Sequence, residues 1–437
     1  METKTERVVI VGGGFAGVNL LKKLANDPHF EVILVDKNNY HFFPPLIYQV
    51  STAFIENSNI SYPFRRMFQS MNNVRFHMGS LVKVDAAENT VETTTGTLHY
   101  DYLVLALGTE TNFFGMENVK QHALPMKTIK DALKLRDHLL LMMEKAVRTK
   151  NKFERNKYFN IVISGGGPTG VEIAGMLAEM VHKIGAKDYP EITDRNLKIY
   201  LIDAAPTLLG PMSTKSQQEA ANVLTKLGVI IKLNTTVKDY VNGKVMLGNG
   251  ETIATSALIW TSGVIACEVP GLPQSVIGRG RRVLVNKFNQ INAPGSMLED
   301  NIFAIGDIAL QTGDKNFPDG HPQLAQVAIQ QGDLLGANLK RMIKGEAIEP
   351  FSYNDKGSMA IISKYKAVVD LPKGHFKGFF AWLVWLFIHL IPIAGFRNKF
   401  TLTFNWFWAF VTNDPTLRLI IGSGKKEEEN STNEQSE

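Results

Sequence analysis

Short apolar runs that end at glycines are the most regular feature of the hydrophobic pattern. Residues 7–11 and 161–164 have the composition of buried parallel strands, and three consecutive glycines follow each run. A helix is predicted after each glycine run, at about 15–26 in the first case. The pattern therefore predicts the same unit of strand, sharp turn and helix twice in one chain.

Both turns have G-x-G-x-x-G spacing. Its glycines are Gly12, Gly14 and Gly17 in the first turn and Gly165, Gly167 and Gly170 in the second. In this motif the first glycine permits the tight turn, the second lets backbone approach a pyrophosphate, and the third packs helix on strand. Two unrelated glycine-rich turns are the alternative, but both matches follow an apolar strand, as the mechanism requires. The chain is therefore expected to bring two dinucleotides face to face.

An acidic residue ends the second strand of each unit. Asp36 follows the strand 31–35 and lies 36 − 17 = 19 residues after Gly17, where a carboxylate should accept hydrogen bonds from a ribose. Asp203 ends the strand that begins at 197, but the gap 203 − 170 = 33 is longer than in the simplest motif. We therefore expect a loop or a helix extension at about 183–195.

Three more apolar strands run into small residues that could contact a cofactor. They end at Gly108, at Gly263 and at Gly306-Asp307, and the last pair suits a carboxylate placed on a cofactor's polyol. A helix is predicted to start at about Pro322. Gln326 and Gln330 are four residues apart and share one of its faces. Such a face is usually solvated, but the neighbouring alanines favour burial.

The C-terminal region is dense in apolar aromatic residues. Four of the five tryptophans lie within residues 376–411, and residues 378–396 contain no Lys, Arg, Asp or Glu. Before Pro392 an uninterrupted helix would be only about 21 Å long at ~1.5 Å per residue, whereas a bilayer core is ~30 Å thick. We therefore predict two short helices that lie on the membrane, with a buried core hairpin as the alternative. Residues 422–437 are expected to be a disordered tail.

Composition narrows the classes of function. A chain of 437 residues with 44% hydrophobic and 20% charged residues is globular and long enough for about two or three domains. A net charge of +5 without a Lys/Arg stripe argues against nucleic-acid binding. The single cysteine, Cys267, excludes an intrachain disulfide, a C-x-x-C pair and a cysteine-rich metal site, and no metal site is predicted. No signal peptide is visible, so the N-terminus is expected to stay in the cytosol.

These features together resemble the two-dinucleotide-binding-domain flavoproteins, and among them the type II NADH:quinone oxidoreductases. The resemblance covers nearly the whole chain and includes both glycine turns, Gly306-Asp307, the segment 40–46 and the aromatic C-terminus. Residues 325–332 match the family's Ala-Gln-x-Ala-x-Gln-x-Gly signature, which is associated with the flavin and the quinone. One departure is Asp203, where a Glu is common.

The resemblance implies an α/β fold with FAD and NAD(H) Rossmann domains and a C-terminal helical segment that associates with the membrane. The implied domains are 1–125 with 270–350 for FAD, 126–269 for NAD(H), and 351–421 as membrane anchor. FAD would contact Gly12, Gly14, Gly17, Asp36, Gly108, Gly306, Asp307 and Ala325. NADH, the cosubstrate, would contact Gly165, Gly167, Gly170, Asp203 and Gly263.

The implied activity is FAD-dependent, non-proton-pumping oxidation of NADH with two-electron reduction of a membrane quinone, either menaquinone or ubiquinone. Gln326 and Gln330 would orient the quinone, because a neutral amide can only form hydrogen bonds. Glu172 would touch the nicotinamide ribose or help a proton move, or else it only compensates the helix dipole. The protein would lie peripherally on the cytoplasmic face of the cell membrane through residues 376–411. A homodimer is compatible with the sequence.

Three alternative functions compete with this one, and the first of them uses the same fold. A disulfide reductase or a sulfide:quinone oxidoreductase needs paired cysteines, which the single Cys267 does not provide. A soluble reductase of a protein electron carrier would have no use for the aromatic C-terminus. A membrane-associated NADH-binding protein with a structural flavin is disfavoured by the glutamine-bearing helix.

Overall fold

The computed structural model describes residues 5–183, 188–190, 197–291, 300–412 and 418–420. Their helices are α1 (Phe15–Leu24), α2 (Ile47–Ser51), α3 (Asn57–Ile60), α4 (Phe64–Met67), α5 (Glu117–His122), α6 (Ile129–Arg148), α7 (Lys152–Asn156), α8 (Pro168–Lys183), α9 (Thr214–Lys226), α10 (Ala325–Ile343), α11 (Phe379–Leu390) and α12 (Phe396–Thr412). Their strands are β1 (Glu6–Val11), β2 (Phe30–Asp36), β3 (Tyr40–Phe42), β4 (Ser61–Pro63), β5 (Val74–Met78), β6 (Leu81–Asp85), β7 (Thr90–Thr93), β8 (Gly96–His99), β9 (Tyr102–Leu105), β10 (Thr109–Thr111), β11 (Leu124–Pro125), β12 (Asn160–Ser164), β13 (Lys198–Ile202), β14 (Ile230–Lys232), β15 (Val237–Val241), β16 (Lys244–Leu247), β17 (Thr252–Ala254), β18 (Ala257–Trp260), β19 (Val264–Ala266), β20 (Val283–Val285), β21 (Ile302–Ala304), β22 (Ala309–Gln311), β23 (Ser358–Ser363), β24 (Lys366–Leu371) and β25 (Gly374–Gly378).

The chain divides into two compact units, each built from three separate stretches. The first unit contains Met1–Phe42, Ser61–Glu110 and Val264–Lys356, and the second contains Phe43–Ile60, Thr111–Gly263 and Gly357–Glu437. The functional domains expected from the sequence stay predictions. The predicted tail lies outside the described residues, as does most of the predicted insertion at 183–195.

The first unit is organised around a parallel sheet with the order β21-β9-β1-β2-β5. Its central strand β1 is flanked on both sides, with Val8 opposite Val32 on one edge and opposite Tyr102 on the other. Val8 and Ile10 belong to one buried apolar cluster and Val9 and Val11 to another, so neither face of the strand is solvated, which explains its continuous apolar run. The predicted strand and the helix α1 after it are both confirmed, although α1 ends two residues early, at Leu24.

Helix α10 packs closely on α1 because two of its residues lack side chains. A Cβ atom on Gly332 would lie 2.5 Å from the carbonyl oxygen of Ala16, and one on Gly336 would lie 2.6 Å from Cβ of Lys23. The helix begins at Ala325 and not at Pro322, since Leu324 is still extended. The last glycine of the signature is thus explained by helix packing.

The second unit has its own parallel sheet, with the order β11-β18-β12-β13-β14. Helix α8 follows β12, and Gly175 on this helix faces the backbone of β23 so closely that a Cβ atom would overlap the carbonyl oxygen of Ile362. The C-terminal antiparallel sheet β23-β24-β25 is therefore packed directly on a helix of the second Rossmann unit.

The two predicted C-terminal helices are present as α11 and α12, which we call the anchor helices. Trp382, Trp385 and Trp406 are buried, whereas Phe380 and Phe396 are 75% and 85% exposed. The exposed apolar residues of these helices and their connection are Phe379, Phe380, Leu383, Phe387, Ile388, Ile391, Phe396, Phe400, Phe404, Phe407, Trp408 and Val411. Among the described residues, no helix combines the length and the apolar character needed to cross a bilayer.

Candidate functional site

The first glycine turn, residues 12–17, joins β1 to α1. Gly12 has φ +112°, and a Cβ atom there would overlap the carbonyl oxygen of Ala106. A Cβ atom on Gly17 would overlap the carbonyl oxygen of Gly12, so the helix lies directly on the turn. At Gly14, by contrast, a Cβ atom would meet nothing within 4 Å. The backbone at the start of α1 is therefore open to a ligand, and helix N-termini favour phosphate groups.

The second glycine turn, residues 165–170, has the same geometry at each position. Gly165 also has φ +112° and approaches Thr261, while a Cβ atom on Gly170 would overlap the carbonyl oxygen of Gly165. Gly167 again faces open space. The two turns thus reproduce the three different glycine roles that the spacing predicts.

An acid lies beside each turn. It accepts a hydrogen bond from the N–H of the second of the three consecutive glycines, which is Gly13 in the first turn and Gly166 in the second. The Gly13 N–H donates to Oδ2 of Asp36 over 2.7 Å, and the Asn38 N–H donates to Oδ1 over 2.7 Å. Burial raises the pKa of the Asp36 carboxyl, against the effect of these two bonds. In the second turn the Gly166 N–H donates to Asp203, as does the Ala205 N–H at 2.6 Å. Both carboxylates are therefore held next to the place where a ribose would follow the pyrophosphate.

Gly306 and Asp307 follow β21 in the first unit. The Gly306 N–H donates over 2.7 Å to Oε1 of Gln331, a side chain that is only 1% exposed. The Asp307 carboxylate accepts from Oγ1 of Thr109 at 3.5 Å. The sequence pattern indicated the neighbouring Gln330 but not Gln331.

The two signature glutamines both contact the segment that follows α10. Gln330 donates from Nε2 to the carbonyl oxygen of Asn354 and accepts from its N–H, both at 3.0 Å. Oε1 of Gln326 accepts from the hydroxyl of Tyr353 at 3.5 Å. Their predicted contact with a quinone stays a prediction.

The predicted contact residues divide between the units. The first unit contains Gly12, Gly14, Gly17, Asp36, Gly108, Gly306, Asp307, Ala325, Gln326 and Gln330. The second contains Gly165, Gly167, Gly170, Glu172, Asp203 and Gly263. Each set therefore includes one complete glycine turn with its acid.

Glu172 lies in the second turn of α8 and is only 8% exposed. Burial raises the pKa of its carboxyl well above the ordinary value, although the N–H of Ile361 donates to it. Burial therefore favours the uncharged form of this acid, and only its charged form could offset a helix dipole. Tyr48 is also fully buried, and the charge of an ionised Glu172 would further raise the pKa of its hydroxyl.

The segment 43–60 carries a buried polar network that the sequence did not indicate. Nε2 of Gln49 donates to the hydroxyl of Tyr48 over 2.9 Å, while Oε1 of Gln49 accepts from the indole of Trp406 over 2.8 Å. Asn405 donates to Asn59 over 3.0 Å. The anchor helix α12 is thus joined to this early segment by specific hydrogen bonds as well as by apolar packing.

An aromatic stack lies on the buried side of α11. The rings of Trp385 and His389 are parallel, with centroids 3.9 Å apart, and Nδ1 of His389 is 2.8 Å from the carbonyl oxygen of Trp385. Burial lowers the pKa of His389 to about 4. His389 is therefore neutral at physiological pH and suits an apolar environment.

Two family models match this chain. The pyridine nucleotide-disulphide oxidoreductase family model matches residues 6–332, and the NDH2 C-terminal domain model matches residues 356–413. A type II NADH:quinone oxidoreductase of Mycobacterium tuberculosis is 34% identical over 422 residues, which cover 94% of this chain and 89% of that protein. This chain belongs to the type II NADH:quinone oxidoreductase family. The family's C-terminal domain accounts for the region that contains both anchor helices.

Solved structures confirm the fold of this type II oxidoreductase. The NDH2 of Plasmodium falciparum, solved in complex with NADH, has a TM-score of 0.86 at 20% identity and covers 96% of this chain and 100% of its own. A sulfide:quinone oxidoreductase of Aquifex aeolicus shares the fold with a TM-score of 0.69 at 18% identity, over 99% of this chain and 95% of its own. The predicted fold class is therefore confirmed.

Proposed function

We propose that the first glycine turn and Asp36 bind FAD, and that the second glycine turn and Asp203 bind NADH. The chain is a flavin-dependent NADH:quinone oxidoreductase. The observation that supports this assignment is the repeated geometry, in which Gly14 and Gly167 each leave open backbone beside a helix N-terminus and an anchored carboxylate. A pyrophosphate fits such an open turn, and a ribose hydroxyl can donate to the acid.

The groups that hold the two cofactors bind and orient them and form no covalent bond with them. When bound, FAD supplies two-electron transfer between NADH and a quinone. Asp307, next to the buried Gly306–Gln331 hydrogen bond, is the acid that we assign to a second contact with the polyol of the flavin. Asp203 would repel a 2′-phosphate and so favours NADH over NADPH.

Gln326 is the residue that we assign to the quinone. Its amide is neutral, so it can donate to a quinone oxygen but cannot supply the proton that the reduction consumes. Burial favours the protonated form of Glu172 in α8, so this carboxyl can hold a proton and release it. Its role would be to hold a proton in the unit that binds NADH, to release it during the reaction, and to take up another proton from solvent.

The anchor helices would rest on the bilayer surface through their exposed phenylalanines. Single exposed apolar residues are common on protein surfaces. The exposed aromatic and aliphatic residues of these two helices together form a larger apolar patch than a soluble monomer normally exposes. Arg397 and Lys399 lie at the start of α12, where they could meet anionic headgroups. The enzyme would thus lie on the cytoplasmic face of the cell membrane and take up menaquinone or ubiquinone from the lipid.

An anaerobic titration tests the proposed activity. Purified protein should contain FAD, and NADH should bleach its absorbance before a water-soluble quinone restores it. NADPH should bleach it much more slowly. Failure of NADH to bleach the flavin, or failure of the quinone to restore it, would overturn the proposal.

A further inference from the structure

The residues that follow helix α10 are held along it by two side-chain amides. Nδ2 of Asn338 donates to the carbonyl oxygen of Glu349 over 2.8 Å, and Oδ1 accepts from the N–H of Glu349 over 2.9 Å. Gln330 makes the same pair of bonds with Asn354, both at 3.0 Å. Each amide thus binds a residue's N–H and C=O together, as a neighbouring strand would. We call residues 349–355 the strap.

The strap runs antiparallel to the helix, because Asn338 holds its start and Gln330, eight residues earlier, holds its end. Phe351 and Tyr353 of the strap are buried, together with Val327 of the helix. On its other side the strap packs on His321, whose ring centroid is 5.2 Å from that of Phe351. His321 is itself paired with Asp314 at 3.1 Å. The strap is therefore fixed by both hydrogen bonds and aromatic packing.

Tyr353 connects the strap to the signature glutamine. Its hydroxyl lies 3.5 Å from Oε1 of Gln326 and 3.4 Å from Oδ1 of Asp355. Burial, with Asp355 nearby, raises the pKa of Tyr353 to about 12, so the hydroxyl keeps its proton at working pH. This hydroxyl has one proton and therefore donates to one of the two acceptors at a time. When it donates to Oε1 of Gln326, the opposite, Nε2 end of the amide points away from the strap. That end carries two hydrogens, and a quinone oxygen needs a donor.

We infer that Gln330 and Asn338 are positioning residues for quinone reduction, which hold the strap so that Tyr353 fixes the amide orientation of Gln326. The inference rests on the proposed contact between Gln326 and the quinone. It assigns Gln330 to the strap, because both ends of its amide bind Asn354. Asn338 is twelve residues from Gln326, about 18 Å along a helix that rises ~1.5 Å per residue. It is therefore too far away to touch a quinone held at Gln326.

The test uses full-length, FAD-loaded protein carrying Asn338→Ala, Gln330→Ala or Tyr353→Phe. Stopped-flow measurements separate flavin reduction by NADH from flavin reoxidation by a water-soluble quinone. In steady-state assays each variant should raise the quinone KM about fivefold. In the stopped-flow traces the rate of flavin reduction by NADH should change less than about twofold. Glu349→Ala is the matched control, because it removes the ion pair with Arg341 but keeps the backbone bonds to Asn338. It should leave both steps unchanged.

Combination with Gln326→Ala distinguishes the two proposals. If the strap acts through Gln326, adding Asn338→Ala to Gln326→Ala should cause no further change in the quinone KM. If Gln326→Ala alone leaves quinone reduction normal, the proposed role of Gln326 fails. If Gln326→Ala slows it but the strap variants do not, or if their effects add fully, the strap inference fails. Tyr353→Phe keeps the packed ring and decides the matter should an alanine variant not fold.

Discussion

Replacing Glu172 with glutamine tests whether this acid is protonated in the folded enzyme. The side chain is 8% exposed, accepts a hydrogen bond from the N–H of Ile361, and has a raised pKa because of burial. Glutamine has the same shape, can accept the same bond, and resembles the protonated acid. At low pH the variant should therefore be about as stable as the natural protein.

The expected difference in stability grows with pH. A carboxyl whose folded pKa is raised binds its proton more tightly in the folded chain than in the unfolded chain, where the ordinary value is 4.5. The contribution of this carboxyl to the free energy of unfolding is complete below about pH 4.5. It is lost as the pH rises from there through the folded pKa, at about 1.4 kcal/mol per pH unit. From about pH 4.5 up to the folded pKa, the natural protein should thus lose stability relative to Glu172→Gln, by up to about 1.4 kcal/mol per pH unit.

Urea unfolding of FAD-saturated protein at several pH values measures this difference. Glu117→Gln is the matched control, since Glu117 lies in the same unit with a side chain that is 68% exposed. Its difference from the natural protein should stay nearly constant with pH. If the Glu172→Gln difference also stays constant over this range, Glu172 is ionised in the folded state and our account of its burial is wrong.

The same variant tests the proposed proton role. Glutamine cannot release a proton, so reoxidation of the flavin by quinone should slow while reduction by NADH stays nearly normal. Stopped-flow traces separate these two steps. If neither step changes, Glu172 has a structural role alone.

Three further predictions concern the cofactor turns and the anchor helices. Gly14→Ala should fold but bind FAD more weakly, whereas Gly17→Ala, whose methyl would overlap the carbonyl oxygen of Gly12, should lower the yield of folded protein; flavin content per soluble chain measures both. Asp203→Ser should reduce the preference for NADH in kcat/KM, and an unchanged ratio would contradict the assignment of the second turn. Replacing Phe380 and Phe396 by serine should release the enzyme from anionic vesicles in a flotation assay while NADH still bleaches its flavin; continued flotation would argue against this surface.

The glycine turns were predictable because their function depends on local geometry. Gly12 and Gly165 must adopt positive φ, and Gly17 and Gly170 must lie against the turn, so the spacing alone specifies these positions. Polar residues whose burial depends on distant partners were not predictable in this way. Gln331 is the most buried glutamine of its helix only because the N–H of Gly306 reaches it from 25 residues away.

The C-terminal helices show the same limit. Their apolar run predicted two short helices but could not separate buried from exposed aromatics. Trp406 is buried, and its indole N–H donates to Gln49 of the early segment. Phe407, the next residue, is 62% exposed because no described element covers it. That distinction depends on the segment 43–60, which lies far away in the sequence.

The hydrogen bonds between α12 and the segment 43–60 also constrain the order in which the chain can fold. Gln49 and Trp406 are separated by 357 residues, and Asn59 and Asn405 by 346. At a synthesis rate of about 5–20 residues per second, the early segment waits roughly 20 to 70 s for its partner helix to leave the ribosome. Tyr48 and its apolar neighbours cannot reach their final buried environment during that interval. The folding of the second unit therefore depends on synthesis having reached α12, and this is the unit that chaperones would need to protect longer.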